Sequence, residues 1–278
     1  MLPFVRIGPL LIQLPGLALL AGIWIGTNSV EREAGRLRLH VPAILNTIMY
    51  GLIGGLLGAR LLYALEHVSA YVAAPLSLLA PSATALDPWG GLLVGAAVAG
   101  LYGRAQHLPL RATLDALAPG LAVFMIAVGA ANVLGGSGYG SPLKAPWAML
   151  QWGEYRHPTQ IYETVLALVV FLGWKFMQAG SMSPGNRFWL VAGLSATARL
   201  FSEAFHGDSI IMVGGFRLAQ VLALGVLIAA LYMGRRWSAP PGRAGQAPRR
   251  PAPPPRRAGA VHSGSKPLAR KKAPLPKQ

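Results

Sequence analysis

Long apolar runs recur along the chain and leave it few ways to fold in water. Seven of them approach the roughly 20 residues that a helix needs to cross a bilayer. They cover residues 7–25, 41–65, 89–102, 114–134, 161–176, 188–205 and 216–232. Only 12% of all residues are charged, against about 25% in a typical soluble domain. The sequence therefore predicts an all-α integral membrane protein with about seven transmembrane helices.

Basic residues fall in alternate segments between these runs. Cytoplasmic loops of membrane proteins carry an excess of Lys and Arg. The basic segments contain Arg32, Arg36, Arg38, Arg104, Arg111, Arg187, Arg235 and Arg236. The segment 67–88 has no Lys or Arg at all. This alternation predicts an N-terminus outside the membrane and a C-terminus in the cytoplasm.

Much of the net charge of +16 lies at the C-terminal end. Residues 238–278 contain ten Lys and Arg residues, many prolines, and no Asp or Glu. With so little apolar content this segment cannot build a core. We predict a transmembrane domain over 1–237 and a disordered cytoplasmic tail over 238–278. The tail should attract anionic lipid headgroups, at about 1 kcal/mol per basic residue near the surface. Nucleic-acid binding is not expected, because the tail has no aromatic interleaving.

A dense polar stretch, residues 156–163, opens the fifth apolar run with the sequence Arg-His-Pro-Thr-Gln-Ile-Tyr-Glu. The predicted orientation puts it at the outer leaflet, where Arg60 of the second run and Arg199 and Glu203 of the sixth also lie. Ionised side chains are costly in hydrocarbon. Their arrival at one depth from separate helices predicts a functional site there.

Arginines at the outer leaflet suit an anionic lipid headgroup, since guanidinium binds phosphate through paired hydrogen bonds. His157 is suited to acid or base chemistry near neutral pH. Structural explanations stay open for these residues. Arg199 and Glu203, four apart on a helix, would neutralise each other; His157 would serve only as a helix-start residue; Arg60 would snorkel to the interface.

Glycines fall into two groups with different expectations. Those in the second and third runs favour close helix packing; they are Gly51, Gly54, Gly55, Gly58, Gly90, Gly91 and Gly95. The run 135–140, Gly-Gly-Ser-Gly-Tyr-Gly, is compatible with an anion-binding nest, a mobile lid or a plain turn. The histidines show no metal-ligand spacing, and no P-loop or dinucleotide pattern is present. We expect neither a metal nor a cofactor.

Residues 156–163 closely resemble the Arg-His-Pro-Ser/Thr-Gln-Leu/Ile-Tyr-Glu motif of bacterial prolipoprotein diacylglyceryl transferases. Other pieces are similar to that family and occur in its order: Ile7-Gly8-Pro9, Gly58-Ala59-Arg60 with Tyr63, Gly90-Gly91, Asn132, Arg199 with Glu203, and Gln220. The resemblance implies a multi-pass protein of the bacterial plasma (inner) membrane. It also implies transfer of diacylglyceryl from phosphatidylglycerol to the lipobox cysteine thiol of a prolipoprotein signal peptide.

The resemblance further implies a set of site residues. Catalytic roles would belong to Arg199, His157 and Glu203. Substrate binding would involve Arg60, Tyr63, Asn132, Arg156, Gln160, Tyr162 and Glu163.

The sequence departs from the family at several signature positions. Trp89 stands where the family has His, Gly129 where it has Arg, and Ser137 where it has Glu. Two hypotheses follow: a divergent diacylglyceryl transferase, or a catalytically lapsed homologue that binds anionic lipid or lipoprotein precursor without turnover. A small-molecule transporter is a third class, but the sequence lacks the repeated broken helices usual there.

Overall fold

The computed structural model describes residues 4–7, 10–73, 85–212 and 214–238, and helices dominate it. The helices are α1 (Leu14–Arg36), α2 (Val41–Glu66), α3 (Val68–Ala73), α4 (Pro88–Ala105), α5 (Leu110–Gly135), α6 (Thr159–Met177), α7 (Asn186–Glu203) and α8 (Leu218–Ser238). The structure also has two antiparallel hairpins. The first, β1 (Phe4–Ile7) with β2 (Leu10–Gln13), precedes α1, and the second, β3 (Met149–Gln151) with β4 (Glu154–Arg156), lies between α5 and α6. The predicted tail lies outside the described residues, apart from Ser238, and stays a prediction.

The helices have the character of membrane segments. In the part of the chain that the structure describes, α2, α5, α6 and α8 are both long and apolar enough to cross a bilayer. Large apolar side chains are exposed on their surfaces, including Leu57 and Leu168. A soluble protein rarely exposes such extensive apolar surface. The predicted helical membrane protein is therefore confirmed in its general character.

The first apolar run was wrongly bounded at 7–25. A hairpin occupies its start, and the helix begins only at Leu14 and continues to Arg36. Pro15 suits a helix start, where its missing N–H has no partner to lose. The helix continues through charged residues because Arg36 forms a hydrogen-bonded ion pair with Glu33. The predicted span ended at residue 25, and Arg32 and Arg36 were expected in the following loop.

Neither hairpin was predicted, so the all-α expectation needs a small correction. The second hairpin turns through Trp152 and Gly153, with φ of 55° and 84°. Two residues with positive φ form the type I′ turn that matches the twist of a two-residue hairpin. The hairpin brings Arg156 and His157 back to the start of α6.

Glycines let pairs of helices approach closely, as predicted for α2 and α4. A Cβ placed on Gly95 would lie 2.8 Å from the carbonyl oxygen of Gly51, and one on Gly55 would lie 3.0 Å from that of Gly91. The α1–α5 pair uses the same device, since a Cβ on Gly26 would lie 3.1 Å from the Gly120 oxygen. Such close backbone approach is typical of membrane helices.

Two apolar clusters hold the remaining helices around α5. Ala118, Ala122, Val170, Trp174 and Val191 join α5 to α6 and α7. A second cluster, Val30, Ala34, Ile44 and Ala116, joins α5 to α1 and α2. The last turns of α5 and α7 and the first turn of α6 meet beside the loop 136–148.

Candidate functional site

Arg199 is the centre of an ion-paired cluster formed by two helices. Its Nη1 pairs with Glu163 Oε1, and its Nη2 lies 2.8 Å from Glu203 Oε2. Glu163 comes from the early part of α6. Arg199 and Glu203 stand four residues apart on α7 and therefore share one face. The cluster holds one guanidinium between two carboxylates, so the predicted neutralisation of Arg199 by Glu203 does occur, but with Glu163 as a second partner.

A cavity between α5, α6 and α7 opens onto this cluster. Its volume is about 140 Å³. Polar groups come from Asn132, Glu163, Arg199 and Ser202. The rest of the lining is mostly apolar; it includes Ala122, Met125, Val128, Leu166, Ala167 and Val170. A few converging polar groups in an apolar cavity suit a ligand that has a polar head and an apolar body.

The guanidinium of Arg199 keeps capacity for such a ligand. Its side chain is 38% exposed, whereas that of Glu203 is 1% exposed. Guanidinium carries five N–H donors, and the two carboxylates engage only part of this set. The remaining donors are available to an anionic group in the cavity.

His206 lies buried directly behind Glu163, and sequence reasoning did not select it. Its side chain is 3% exposed, and its Nε2 lies 3.5 Å from Glu163 Oε1. Its Nδ1 lies 3.0 Å from the carbonyl oxygen of Ser202. The available signal was spacing, because His206 follows Glu203 by three residues. We had judged it only for metal-ligand spacing.

Arg217 is a second residue that sequence reasoning missed. It precedes α8, and its Nη1 donates to the carbonyl oxygens of Glu203 and His206, the latter at 3.2 Å. Ser209 Oγ donates to Glu203 Oε1 at 2.6 Å. The Arg217 bonds go to backbone carbonyls at and just beyond the end of α7, and the Ser209 bond goes to the Glu203 carboxylate. They fix the backbone that presents Glu203 and His206.

The glycine-rich loop packs against the motif through backbone contacts. Ser141 N donates to Phe205 O at 2.8 Å, and Thr159 Oγ1 donates to Gly138 O at 2.6 Å. Gly138 has φ of +65°, a conformation that side chains rarely adopt. A Cβ on Gly140 would collide with His157. The loop is therefore fitted to α6 and α7, which argues against a plain turn.

Arg156 supports this loop. Its Nη1 donates to Gly140 O at 3.3 Å, and its guanidinium carbon lies 5.1 Å from the Tyr139 ring centroid. Its Nη2 pairs with Glu154 at 2.6 Å. These contacts tie the second hairpin to the glycine-rich loop.

His157 and Tyr162 form an aromatic group with Phe205, which follows α7. The Tyr162 Oη lies 3.5 Å from His157 Nδ1, and the His157 ring centroid lies 5.0 Å from that of Phe205. The group links the first turn of α6 to the end of α7. His157 therefore makes side-chain contacts of its own and is more than a helix-start residue.

The side-chain amide of Gln160 forms a hydrogen-bonded pair with that of Gln151. The two residues are 1% and 3% exposed. Each amide nitrogen donates to the other residue's oxygen at 3.2 Å. Each amide thus has a hydrogen bond at both its nitrogen and its oxygen, as buried polar groups usually do. This arrangement favours support of the hairpin over the substrate contact that we had predicted for Gln160.

The other predicted residues divide between two regions. Asn132 lines the cavity, close to Gly138 of the loop. Arg60 donates to the carbonyl oxygen of Ala85 at 3.1 Å, and Tyr63 stacks on His67 with ring centroids 4.2 Å apart. These contacts of Arg60 and Tyr63 belong to the end of α2.

Comparison with known proteins settles the family. A family model described as prolipoprotein diacylglyceryl transferase matches residues 3–235. The chain belongs to the prolipoprotein diacylglyceryl transferase family. Similar curated proteins are the phosphatidylglycerol–prolipoprotein diacylglyceryl transferases of Geobacter sulfurreducens and Synechococcus elongatus. The first is 30% identical, over 83% of this chain and 92% of the relative. The second is 29% identical, over 84% and 86%.

A relative of the same name from Clostridioides difficile is 24% identical, over 80% of this chain and 90% of that protein. Membership confirms the resemblance stated from residues 156–163. Together with the apolar helices, it makes the chain a membrane protein of a bacterial transferase family.

The departures from the family pattern have visible structural settings. Gly129 lines the cavity and packs directly on α6: a Cβ there would meet Thr164 Oγ1 and lie 3.0 Å from Thr164 Cα. Trp89 is exposed in the first turn of α4. Asp87 caps the N-terminus of this helix, because its carboxylate accepts a hydrogen bond from Gly90 N at 2.6 Å. Any side chain at position 129 would therefore require α5 and α6 to move apart at this point.

Proposed function

We propose that this protein is a phosphatidylglycerol–prolipoprotein diacylglyceryl transferase. It would move diacylglyceryl from phosphatidylglycerol to the lipobox cysteine thiol of a prolipoprotein and release glycerol phosphate. The observation that carries the proposal is the half-exposed Arg199, held by Glu163 and Glu203 at the polar end of an otherwise apolar cavity. Family membership supplies the reaction class.

The cavity suits the donor lipid. Arg199 would bind the phosphate of phosphatidylglycerol, with Asn132 and Ser202 as further polar contacts beside it. The apolar walls from α5 and α6 would cover the beginning of the acyl chains. Preorganised cations at a phosphate stabilise the charge that develops as it leaves.

In the reaction the thiol loses its proton and the sulfur forms a bond to the glyceryl carbon. The bond from that carbon to the phosphate oxygen breaks, and its electrons stay with the departing glycerol phosphate. The chain must therefore accept one proton and stabilise one phosphate. Arg199 would serve the phosphate, Glu203 would hold Arg199 in place, and Glu163 would accept the proton.

The remaining predicted residues receive supporting roles. Arg60 and Tyr63 at the end of α2, and Arg156 with His157 and Tyr162 beside the loop, would contact the headgroup or the signal peptide. Gln160 would act through its buried partner Gln151 in the second hairpin.

We further propose the topology predicted from the loop charges. The seven long helices α1, α2 and α4–α8 would cross the plasma (inner) membrane, with the N-terminus outside and the site at the outer leaflet. The basic tail would lie in the cytoplasm against anionic lipid headgroups. Cysteine accessibility mapping at Glu154 and Arg104 tests this. Only the first should react with an impermeant reagent added outside.

Complementation tests the activity. Bacterial cells depleted of their own diacylglyceryl transferase should regain lipoprotein modification when they express this protein, and an Arg199→Ala form at equal membrane abundance should not support it. Absence of rescue by well-expressed wild type would count against the proposal.

A second candidate function is lipid or precursor binding without turnover. The substitutions at Trp89, Gly129 and Ser137 favour it, because each replaces a polar family residue. Native mass spectrometry distinguishes the two functions. Retained phosphatidylglycerol without any transfer to a lipobox peptide would support binding alone, and transfer would eliminate this candidate.

A further inference from the structure

The proton that leaves the thiol needs an acceptor, and one oxygen in the site has an unusual set of neighbours. Glu163 Oε1 faces Arg199 Nη1, Ser202 Oγ at 3.4 Å and His206 Nε2 at 3.5 Å. Glu163 is on the cavity wall, whereas His206 is buried behind it.

Hydrogen-bond geometry fixes the tautomer of His206. Its Nδ1 lies 3.0 Å from the carbonyl oxygen of Ser202, and a carbonyl oxygen only accepts. Nδ1 therefore carries a proton, so the neutral ring has its lone pair on Nε2. That lone pair faces a carboxylate oxygen. Two acceptors face each other here, and one proton between them would turn repulsion into a hydrogen bond.

The charges around the ring come from every element packed against it. Glu163 belongs to α6, while Arg199 and Glu203 belong to α7, with Glu203 Oε2 3.9 Å from His206 Nδ1. Arg217 donates to the His206 carbonyl oxygen at 3.2 Å. The glycine-rich loop adds only backbone, through the Gly140–His206 bridge. The two arginines and two glutamates balance, so an added proton brings one positive charge to the site.

We propose that His206 is a positioning residue that acts through Glu163, and that the pair accepts the thiol proton. This inference rests on the proposed transferase function. The proton moves from sulfur to Glu163 Oε1 and is shared with His206 Nε2. Arg199 already faces this oxygen, and the lone pair of His206 Nε2 offers the proton a second position beside it.

Proton uptake also frees Arg199. Its Nη1 donates to Glu163 Oε1, the same oxygen that would form a hydrogen bond with His206 Nε2 once the proton lies between them. Once the Glu163–His206 pair holds the proton, its attraction for Arg199 falls, and Nη1 can turn to the leaving phosphate. Thiol deprotonation is thereby linked to stabilisation of the phosphate.

The test measures transfer from phosphatidylglycerol in proteoliposomes to a lipobox peptide, between pH 6 and pH 9. His206→Asn keeps a donor near the Nδ1 position for Ser202 but removes Nε2; His206→Gln is the second variant. His40→Asn is the matched control, because His40 is exposed at the start of α2 and its side chain makes no capping bond.

We expect both His206 variants to lower kcat about a hundredfold at pH 7, in line with the loss of a general base. The deficit should shrink to less than about tenfold at pH 9, where a thiol with an ordinary pKa of about 8.5 ionises unaided. KM for phosphatidylglycerol should stay near the wild-type value, and His40→Asn should match wild type throughout.

Wild-type rates in both variants would overturn the inference and leave the transferase function intact. A deficit that is constant across pH, or a large rise in KM, would mean a merely structural role and would also overturn it. If the wild-type protein transfers nothing at any pH, the proposed function itself fails, and the inference fails with it.

Discussion

Two buried polar clusters stabilise this helical domain, and they use their charges differently. The site cluster consists of Glu163, Arg199, Glu203 and His206. The structural cluster consists of Glu33, Arg36, Gln178 and Arg187, and it joins the end of α1 to the segment between α6 and α7. Glu33 is 1% exposed and accepts from Arg36 Nε at 2.8 Å and Gln178 Nε2 at 2.6 Å.

In the structural cluster the arginines donate to nearby protein groups, although the buried Nε of Arg187 has no hydrogen-bond partner. Arg187 Nη2 donates to Gly180 O at 2.9 Å, and Arg36 engages both oxygens of Glu33. In the site cluster the guanidinium of Arg199 is partly exposed to a cavity. Burial and charge are common to both. The two clusters differ because a charged group of the site cluster, the Arg199 guanidinium, lines a cavity.

The largest expected effect is on transfer after substitution of Arg199. Arg199→Lys keeps a cation for the buried Glu203 but loses the paired donors. We expect transfer to fall about a hundredfold to a thousandfold, comparable to removal of a preorganised donor for developing charge. Glu33→Gln should leave the rate per folded molecule close to wild type. Initial rates in proteoliposomes measure both variants. Equal losses of transfer rate would contradict the distinction between the site cluster and the structural cluster.

The free energy of unfolding should respond in the opposite order, with Glu33→Gln losing more than Arg199→Lys. Glu33→Gln removes a charged acceptor from Arg36, which costs about 1.5–3 kcal/mol of unfolding free energy. Unfolding of the protein in mild detergent, followed by circular dichroism, measures this loss. An unchanged midpoint with reduced transfer would contradict the structural assignment of this cluster.

The wall of the cavity offers a smaller test. A methyl group on Gly129 would press on Thr164 of α6, so Gly129→Ala should lose about 1–3 kcal/mol through overpacking. Gly100→Ala is the matched control, because a Cβ there has no heavy atom within 4 Å. It should be neutral or slightly stabilising. Equal stability of the two variants would mean that α5 and α6 are not in close contact at Gly129.

An effect of similar size concerns the amide pair of Gln151 and Gln160. Gln160→Leu leaves a buried amide unpaired and should cost about 1–3 kcal/mol, whereas the double replacement by Leu should recover most of that loss. A double-mutant cycle in detergent measures the coupling. Additive losses would show that the two amides do not interact.

The helices were predictable because their apolar runs are long: α2 begins at Val41, as predicted, and α6 extends the predicted 161–176 by two residues at its start and one at its end. Prediction failed where polar contacts override hydropathy. Glu33 and Arg36 neutralise each other, so α1 continues past the predicted end of the first run. Trp152 and Gly153 form a turn that the apolar pattern does not predict.

Part of the site was also predictable. The four-residue spacing of Arg199 and Glu203 predicted their contact, and Glu163 was predicted as part of the motif at residues 156–163. The structure brings all three together. His206 and Arg217 required the fold, since their partners are backbone carbonyls and a carboxylate on another helix. Gln160 was a motif residue whose buried partner, Gln151, lies nine residues away in a hairpin that was not foreseen.

The central claim is that the cavity beside Arg199 transfers diacylglyceryl from phosphatidylglycerol to a thiol. Its most direct test incubates the purified full chain with phosphatidylglycerol liposomes and a lipobox peptide, and follows the peptide by mass spectrometry. We expect a mass gain of one diacylglyceryl group on cysteine, released glycerol phosphate in equal amount, and little of either with Arg199→Lys. An unmodified peptide in the presence of folded, lipid-bound wild type would contradict it.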